Sequence, residues 1–543
     1  MSYYRQRQAL LEHATYTEFG LIVIGSGITG SGIALDAQTR GIPTLLIEMN
    51  DIASGTSSRS TKLIHGGLRY LKQLEFGLVK ETGRERAVVH HLAPHITVPE
   101  PMLLPIIKGG SMPQWMASLG TWMYDFLAGV KKSESRQVLD KTATLAYEPL
   151  LAGARVTGGI HYYEYRTDDA RLTLAVANTA HKQGAIILTY TKVVELLYEA
   201  NTIVGVKVVD TLSNKEYTFK GIEIVNAAGP WVDGIDAQDA TIRKDKLLLT
   251  KGVHIVVDYS KFPIKQAAYF DVGDGRMVFA IPREGKTYIG TTDTKYTGSF
   301  EEPGIEESDK KYLLECVSLV FPTVKLTVHD IESYWSGLRP LIRQKNSKSP
   351  SAISRKDEIF TSTTGLLSIA GGKLTGYRKM AERITDIIAE RLKRKYNIDP
   401  CTTETHMLYG GDIARHGGLK EFIERMLPEL TGEGIDTDTA TRLIRLYGSS
   451  IEHYVAELHH IDERIASKNL PKWLKAQLQF TIKHEFVCKP EDFIIRRTAD
   501  FYFRRNEVVA YYNELISCMQ LLLDWTEQET DLHKTTFQLM LKK

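Results

Sequence analysis

His65, Arg69, Tyr70, His254, Arg339 and Lys373 are the side chains of this 543-residue chain whose types and settings could carry a reaction. His65 precedes Gly66 and Gly67, Lys373 follows Gly371 and Gly372, and Arg339 lies just beyond Gly337. A neutral imidazole can take a hydroxyl proton near neutral pH, whereas an arginine stays protonated, so His65 and His254 are the natural candidate bases. Arg69, Arg339 and Lys373 present directed donors that suit a phosphomonoester dianion. An amino acid or amine would want one carboxylate partner and an apolar pocket, and three cations fit it poorly.

These side chains need a scaffold, and the stretch 21–48, LIVIGSGITGSGIALDAQTRGIPTLLIE, supplies its first part. The apolar run 21–24 predicts a buried strand leading into Gly25, Gly27 and Gly30 at the spacing of a dinucleotide fingerprint. One glycine makes the turn, one admits a pyrophosphate to the backbone, and one lets the next helix pack on the strand. Ile28 and Thr29 open that helix, whose N-terminal amides and dipole favour an anion. Gly41 caps it, and a second strand over 44–47 ends in Glu48, placed to accept from ribose hydroxyls and to disfavour a 2′-phosphate.

Behind Glu48, the stretch 53–71 crowds Ser54, Thr56, Ser57, Ser58, Ser60 and Thr61 ahead of Lys62, His65 and the glycine pair. Such a segment cannot build a core, but it can wrap a polar ligand with backbone and hydroxyl hydrogen bonds. A helix follows from 81, and Thr167, Asp168 and Asp169 are cap candidates for another. Tyr162, Tyr163 and Tyr165 read as packing. Runs over 191–198, 202–210 and 216–219 predict a meander that feeds a buried strand over 222–225 and the small residues Ala227, Ala228 and Gly229 before Trp231. Between 246 and 294 the signals are strands, with 276–282 paired to 287–292. A short strand over 366–370 leads to Gly371 and Gly372 and a helix over 377–392. From 401 onward amphipathic helices predominate.

Length alone predicts about three or four domains at roughly 150 residues each. Hydrophobic content of 43% and charged content of 25% are those of a globular protein, and a net charge of +2 offers no basic field for nucleic acid. Arg496, Arg497, Arg504 and Arg505 read as a solvated helix face. Cys316, Cys401, Cys488 and Cys518 form no metal-ligand or dithiol spacing and suit buried thiols in a reducing cytoplasm. The N-terminus reads as a short helix and not as a secretory signal. No apolar run reaches the ~18 to 20 residues that span a bilayer. The stretch 112–130, with Trp115, Trp122, Tyr124 and Phe126, reads as a core helix of a substrate domain, although it could also rest on a membrane surface.

Six motifs carry a resemblance: GSGITG at 25–30, SSRSTKLIHGGLRYL at 57–71, NAAGPW at 226–231, KGVHIVV at 251–257, SGLRPL at 336–341 and GGKLTGYRKMAE at 371–382. In this order the chain resembles the FAD-dependent, quinone-linked glycerol-3-phosphate dehydrogenases. Ser26 stands where many relatives carry glycine. The resemblance implies a mixed α/β fold of the D-amino acid oxidase type. A discontinuous FAD-binding domain is expected over 18–100, 150–245 and 330–396, an antiparallel substrate domain over 101–149 and 246–329, and a helical domain over 400–543. It implies FAD as cofactor, held by Gly25, Gly27, Ile28, Thr29, Gly30, Glu48, Thr56, Ser57, Ser58, Lys62, Leu63, Ile64, His65, Gly66, Gly67, Val193, Ala228, Gly229, Trp231, Gly337, Gly371, Gly372, Lys373, Leu374 and Thr375, with no metal.

The implied reaction is oxidation of sn-glycerol 3-phosphate to dihydroxyacetone phosphate, with electrons passed to membrane quinone. Either His65 or Arg339 takes the hydroxyl proton; the base is assigned to His65, and Arg339 to the alkoxide and phosphate. Peripheral attachment to the inner face of the cell membrane is implied, and a homodimer stays open. An oxidase returning electrons to oxygen, or a non-catalytic FAD-bound scaffold, are the alternatives.

Overall fold

The computed structural model describes residues 3–65, 76–110, 134–242, 245–301, 303–343 and 357–542. Gly66, Gly67, Arg69, Tyr70 and the stretch 112–130, all singled out above, lie outside the described residues.

Two sheets organise the chain. The first runs in the order Asp357–Thr361, Leu367–Gly371, Glu216–Asn226, Glu18–Ile24, Thr44–Ile47, Ile186–Leu188, and its four central strands and Ile186–Leu188 are parallel. Strand Glu18–Ile24 is buried at every position after Glu18, which explains its unbroken apolar run. The sequence suggested two strands over 216–225; they are one, Glu216–Asn226. Its first half pairs with the meander strand Thr202–Asp210 and its second with Glu18–Ile24. Gly221 at the join has no side chain, so Ile22 fills that space.

Helices Ile28–Thr39, Asp169–Lys182 and Tyr377–Leu392 pack against the first sheet in one apolar cluster with Leu21, Val23, Leu46 and Val225. Gly32 lets Tyr377 and Ala381 lie directly on helix Ile28–Thr39. Gly41 adopts a φ of 85°, the left-handed stop its position calls for.

The second sheet is antiparallel apart from one short parallel contact between Ala267–Asp271 and Val98–Ile107. Near one edge Leu247–Asp258 pairs with Ile331–Ile342 along nearly its full length, placing Thr250 opposite Arg339 and Gly252 opposite Gly337. The hairpin Met277–Arg283 to Lys286–Gly290 turns on Glu284 and Gly285, both at positive φ, as a two-residue turn requires. Strands Val156–Arg166 and Ile331–Ile342 run in this sheet, although the expected boundaries put 150–245 and 330–396 with the cofactor sheet. The motif SGLRPL lies within strand Ile331–Ile342, paired with Leu247–Asp258.

The C-terminal helices do more than follow the core. Phe493, Tyr502, Phe503 and Met519 share an apolar cluster with Met102, Leu104, Val256 and Trp335 of the second sheet. A smaller cluster of Val232, Leu247, Leu249, Leu338, Ile342 and Ala370 joins the two sheets to each other.

His95 is buried where the end of helix Phe76–Leu92 meets the C-terminal region, tight against Gly410 and Gly448. Burial, and then the charge of Arg171, push its pKa down to about 3. The unfolded chain therefore takes up a proton below about pH 6.5 that the folded chain refuses, so stability falls as pH drops. We expect His95→Gln to remove up to about 1.4 kcal/mol per pH unit of that loss between pH 6 and 4. Urea unfolding at a series of pH values measures it; an unchanged slope would show that His95 titrates freely.

Candidate active site

One cavity of about 950 Å³ lies between the two sheets. Its floor is the fingerprint turn. Gly25 sits at a φ of 102°, and a methyl group on Gly30 would overlap the Gly25 carbonyl oxygen, so helix Ile28–Thr39 seats directly on the strand end. Gly27, Ile28 and Thr29 line the cavity at the positive end of this helix, and Ile28 N–H donates to Ser57 Oγ at 2.9 Å. The backbone is thereby open to a pyrophosphate where a Cβ would fill the space.

Glu48 closes the far end. Its carboxylate accepts from Ser26 N–H at 2.8 Å, Asn50 N–H at 3.0 Å and Ser54 Oγ at 3.3 Å. A carboxylate takes about four hydrogen bonds, which leaves about one position for a ribose hydroxyl. Burial raises the Glu48 pKa, and the two backbone donors offset part of that rise.

The glycine-rich segments, distant in sequence, are tied together at this cavity. Thr56 Oγ1 donates to the Leu338 carbonyl at 2.7 Å, and Thr375 Oγ1 donates to the His65 carbonyl at 3.1 Å. His65, Arg339 and Lys373 consequently line one space. Thr56, Ser57, Leu63, Val193, Ala228, Gly229, Trp231, Gly337, Gly371, Gly372, Leu374 and Thr375 line it with them. The Arg339 guanidinium donates to the Thr292 carbonyl at 3.1 Å and to Thr291 Oγ1 at 2.8 Å, and meets Asp293 at 3.3 Å.

Other expected residues stand behind the wall. Gly30 packs the helix and Ile64 is fully buried in its short strand. Ser58 turns to the Gly55 carbonyl at 3.4 Å. Lys62 is buried against Asp169 at 2.6 Å, so its ammonium anchors the hydroxyl-rich loop from beneath. His254 lies stacked on Trp335, ring centroids 4.9 Å apart, with Nε2 3.0 Å from Thr61 Oγ1. It reaches the cavity only through Thr61. Burial, then the charges of Arg339 and Lys62, lower its pKa well below the usual histidine range, so it stays neutral.

Sequence reasoning missed Tyr269, Arg276, Met277 and Phe279 on the cavity wall and read Tyr162, which also lines it, as packing. No glycine motif marks them. The available signal was period two: Met277 and Phe279 share one face of their strand, and that face is the wall.

A flavin dinucleotide fits these residues, and comparison with known proteins decides the matter. The pattern of the FAD dependent oxidoreductases (DAO) covers residues 21–378, and that of the C-terminal domain of alpha-glycerophosphate oxidase covers 401–530. An aerobic glycerol-3-phosphate dehydrogenase of Staphylococcus aureus is 47% identical across 99% of this chain and 97% of its own length. The chain belongs to the FAD-dependent glycerol-3-phosphate dehydrogenase family. The crystal structure of the glycerol-3-phosphate dehydrogenase from Bacillus halodurans, complexed with FAD, matches with a TM-score of 0.86 at 42% identity, covering 99% of this chain and 97% of that one. The L-alpha-glycerophosphate oxidase of Mycoplasma pneumoniae, at 16% identity and a TM-score of 0.56 over 71% of this chain and 97% of its own, shares the fold. Ser26, the middle residue of the fingerprint, fits without strain. Its N–H does the work, and its hydroxyl meets Ser31 Oγ at 3.2 Å.

Gly252 lies under the Arg339 guanidinium, and a methyl group there would overlap it. That end of the arginine is flexible, so the fold should survive while the guanidinium moves. We expect Gly252→Ala to retain bound flavin, read from its absorption, and to lose at least ~10-fold in turnover. Turnover within twofold of the parent would mean that the guanidinium keeps its place.

Proposed function

We propose that this chain oxidises sn-glycerol 3-phosphate to dihydroxyacetone phosphate and that its electrons leave to a membrane quinone. The observation that carries the reading is the convergence of His65, Arg339 and Lys373 on one cavity beside a dinucleotide cradle. The aerobic glycerol-3-phosphate dehydrogenase of Staphylococcus aureus, alike over nearly the whole chain, supports the substrate.

FAD, when bound, would supply the acceptor for the two electrons and the hydrogen that leave C2 of the substrate. Arg339 and Lys373 bind the phosphate dianion, and their charge favours the developing alkoxide. His65 takes the hydroxyl proton, its backbone carbonyl fixed by Thr375. His254, neutral and held behind Thr61, holds the loop and takes no proton. The cofactor is held by the fingerprint turn, Glu48 and the segments around Thr56, Ala228 and Gly371.

Among the described residues no helix is long and apolar enough to cross a membrane, so attachment to the inner face of the membrane would be peripheral. The match of 401–530 to an oxidase C-terminal domain favours a second reading, in which oxygen is the acceptor. Peroxide formation against reduction of a quinone dye separates the two.

Anaerobic addition of sn-glycerol 3-phosphate should bleach the oxidised flavin band, while glycerol and glycine leave it unchanged; a band that sn-glycerol 3-phosphate leaves intact would overturn the reading. His65→Ala should keep FAD and slow that bleaching ~100-fold or more. Near-normal bleaching would remove His65 from the mechanism. Arg339→Ala or Lys373→Ala should raise KM for sn-glycerol 3-phosphate at least ~10-fold while bound FAD is retained, and loss of bound FAD in either would point to a damaged flavin site.

A further inference from the structure

Arg496 and Arg497 belong to the C-terminal helical region, beyond the segment that matches the FAD dependent oxidoreductases, yet both reach back to Asp51. Arg497 is bidentate, with Nη1 and Nη2 donating to the two Asp51 oxygens at 2.6 and 2.7 Å, and Arg496 Nε donates to the same carboxylate. Neighbouring residues of an α-helix seldom face one partner. Here they do, on the segment Asp492–Arg497, which is wound as a π-helix. Asp51 and Asp492 are completely buried, and Arg497 nearly so.

Asp51 sits three residues beyond Glu48, at the start of the loop that carries Ser54, Thr56 and Ser57. Its carbonyl accepts from Ser54 N–H at 3.1 Å, and Ser54 Oγ reaches Glu48. Ala53 N–H donates to the Ser26 carbonyl at 3.0 Å, joining the loop to the fingerprint turn. Asp51 itself does not line the cavity, whereas Met49 and the residues 54–57 do.

A second tie runs parallel to the first. Asp492 accepts from Arg496 at 2.6 Å and from the Tyr190 hydroxyl at 2.6 Å. Tyr190 N–H donates to the Asn50 carbonyl at 2.8 Å, and Thr191 N–H to the Glu48 carbonyl at 2.8 Å. From the N-terminal helix Tyr3–Thr15, Arg7 grips the Thr189 and Tyr190 carbonyls from the other side. The segment 48–51 is thus held through its backbone by Tyr190 and Thr191 and through Asp51 by the buried Arg497 and the partly buried Arg496.

We infer that Arg496 and Arg497 are positioning residues for the cofactor: the C-terminal helical domain clamps the 48–57 loop in the shape that receives the dinucleotide. This rests on the cofactor reading of the cavity given above. Burial alone would raise the Asp51 pKa, but the charges of Arg497 and Arg496 hold it below the usual carboxylate range, so the contact is a full ion pair.

The test compares two buried contacts of the same domain. Arg171 pairs with Glu485 at 2.7 Å, joining the C-terminal region to helix Asp169–Lys182; the Glu485 backbone carbonyl accepts from Arg497 Nε at 2.8 Å, but its side chain, which Arg171→Gln releases, makes no bond to the loop. FAD affinity of the full chain, by fluorescence titration of deflavinated protein, is measured beside thermal unfolding for Asp51→Asn, Arg497→Gln and Arg171→Gln. We expect Asp51→Asn and Arg497→Gln each to weaken FAD binding at least ~10-fold, and Arg171→Gln to lower the melting temperature as much while changing affinity less than ~3-fold. With FAD saturating, KM for sn-glycerol 3-phosphate should stay within about twofold in all three. Should Arg497→Gln not fold, Asp51→Asn and Arg496→Lys carry the comparison. FAD affinities within twofold of the parent, or an equal loss in Arg171→Gln, overturn the inference. Affinity is read without substrate, so a protein that binds FAD but is not bleached by sn-glycerol 3-phosphate sinks the substrate reading and leaves this one standing.

Discussion

Nothing larger than a hydrogen atom fits between the carbonyl oxygen of Gly25 and the backbone of Gly30, and the rest of the architecture depends on that contact. It seats helix Ile28–Thr39 on the end of the central strand, so that the positive end of the helix opens into the cavity. The same helix then offers Gly32 as a bed for Tyr377 and Ala381. Helix Tyr377–Leu392 is thereby brought over the sheet, and with it the segment of Gly371, Gly372 and Lys373 that precedes it. A close approach of two backbones near residue 28 thus determines where a cation near residue 373 stands.

The buried charges follow a second logic. Lys62 with Asp169, Arg171 with Glu485 and Arg497 with Asp51 are nearly or fully removed from water. Pairs of this kind add little net stability over apolar residues of similar volume, because desolvation offsets most of their attraction. What they add is register, since a guanidinium with two carboxylate oxygens tolerates one geometry. Each of the three connects segments more than a hundred residues apart, and two of them bring the C-terminal helices onto the core.

The sequence was most readable where local chemistry is strict. The strand, turn and helix of 21–48 appear where the glycines put them, and helix Tyr377–Leu392 matches its expected bounds. The convergence of His65, Arg339 and Lys373 could also be anticipated, because each sits beside glycines that only a close-packed ligand or backbone would require. What could not be read depends on pairing between distant strands. SGLRPL was expected in the FAD-binding domain over 330–396, but pairing with Leu247–Asp258 carries Ile331–Ile342 into the second sheet. His254 had the composition of a base, but burial and two nearby cations make it a neutral prop. Arg496 and Arg497 read as a solvated basic pair, because nothing in their neighbourhood announces a carboxylate some 440 positions earlier.

Arg339 and Lys373, both on the cavity wall, ride on different sheets, Arg339 on the second and Lys373 just past the end of the first. The spacer between those sheets is apolar, the small cluster of Val232, Leu247, Leu249, Leu338, Ile342 and Ala370. The distance between them is therefore set by hydrocarbon. Leu338 is the neighbour of Arg339 in the chain, and Ala370 precedes Lys373 by three residues. A methylene gained or lost in this cluster, at Val232, Leu247, Leu249 or Ile342 behind the wall as much as at Leu338 and Ala370 on it, shifts one side chain relative to the other without altering any charge.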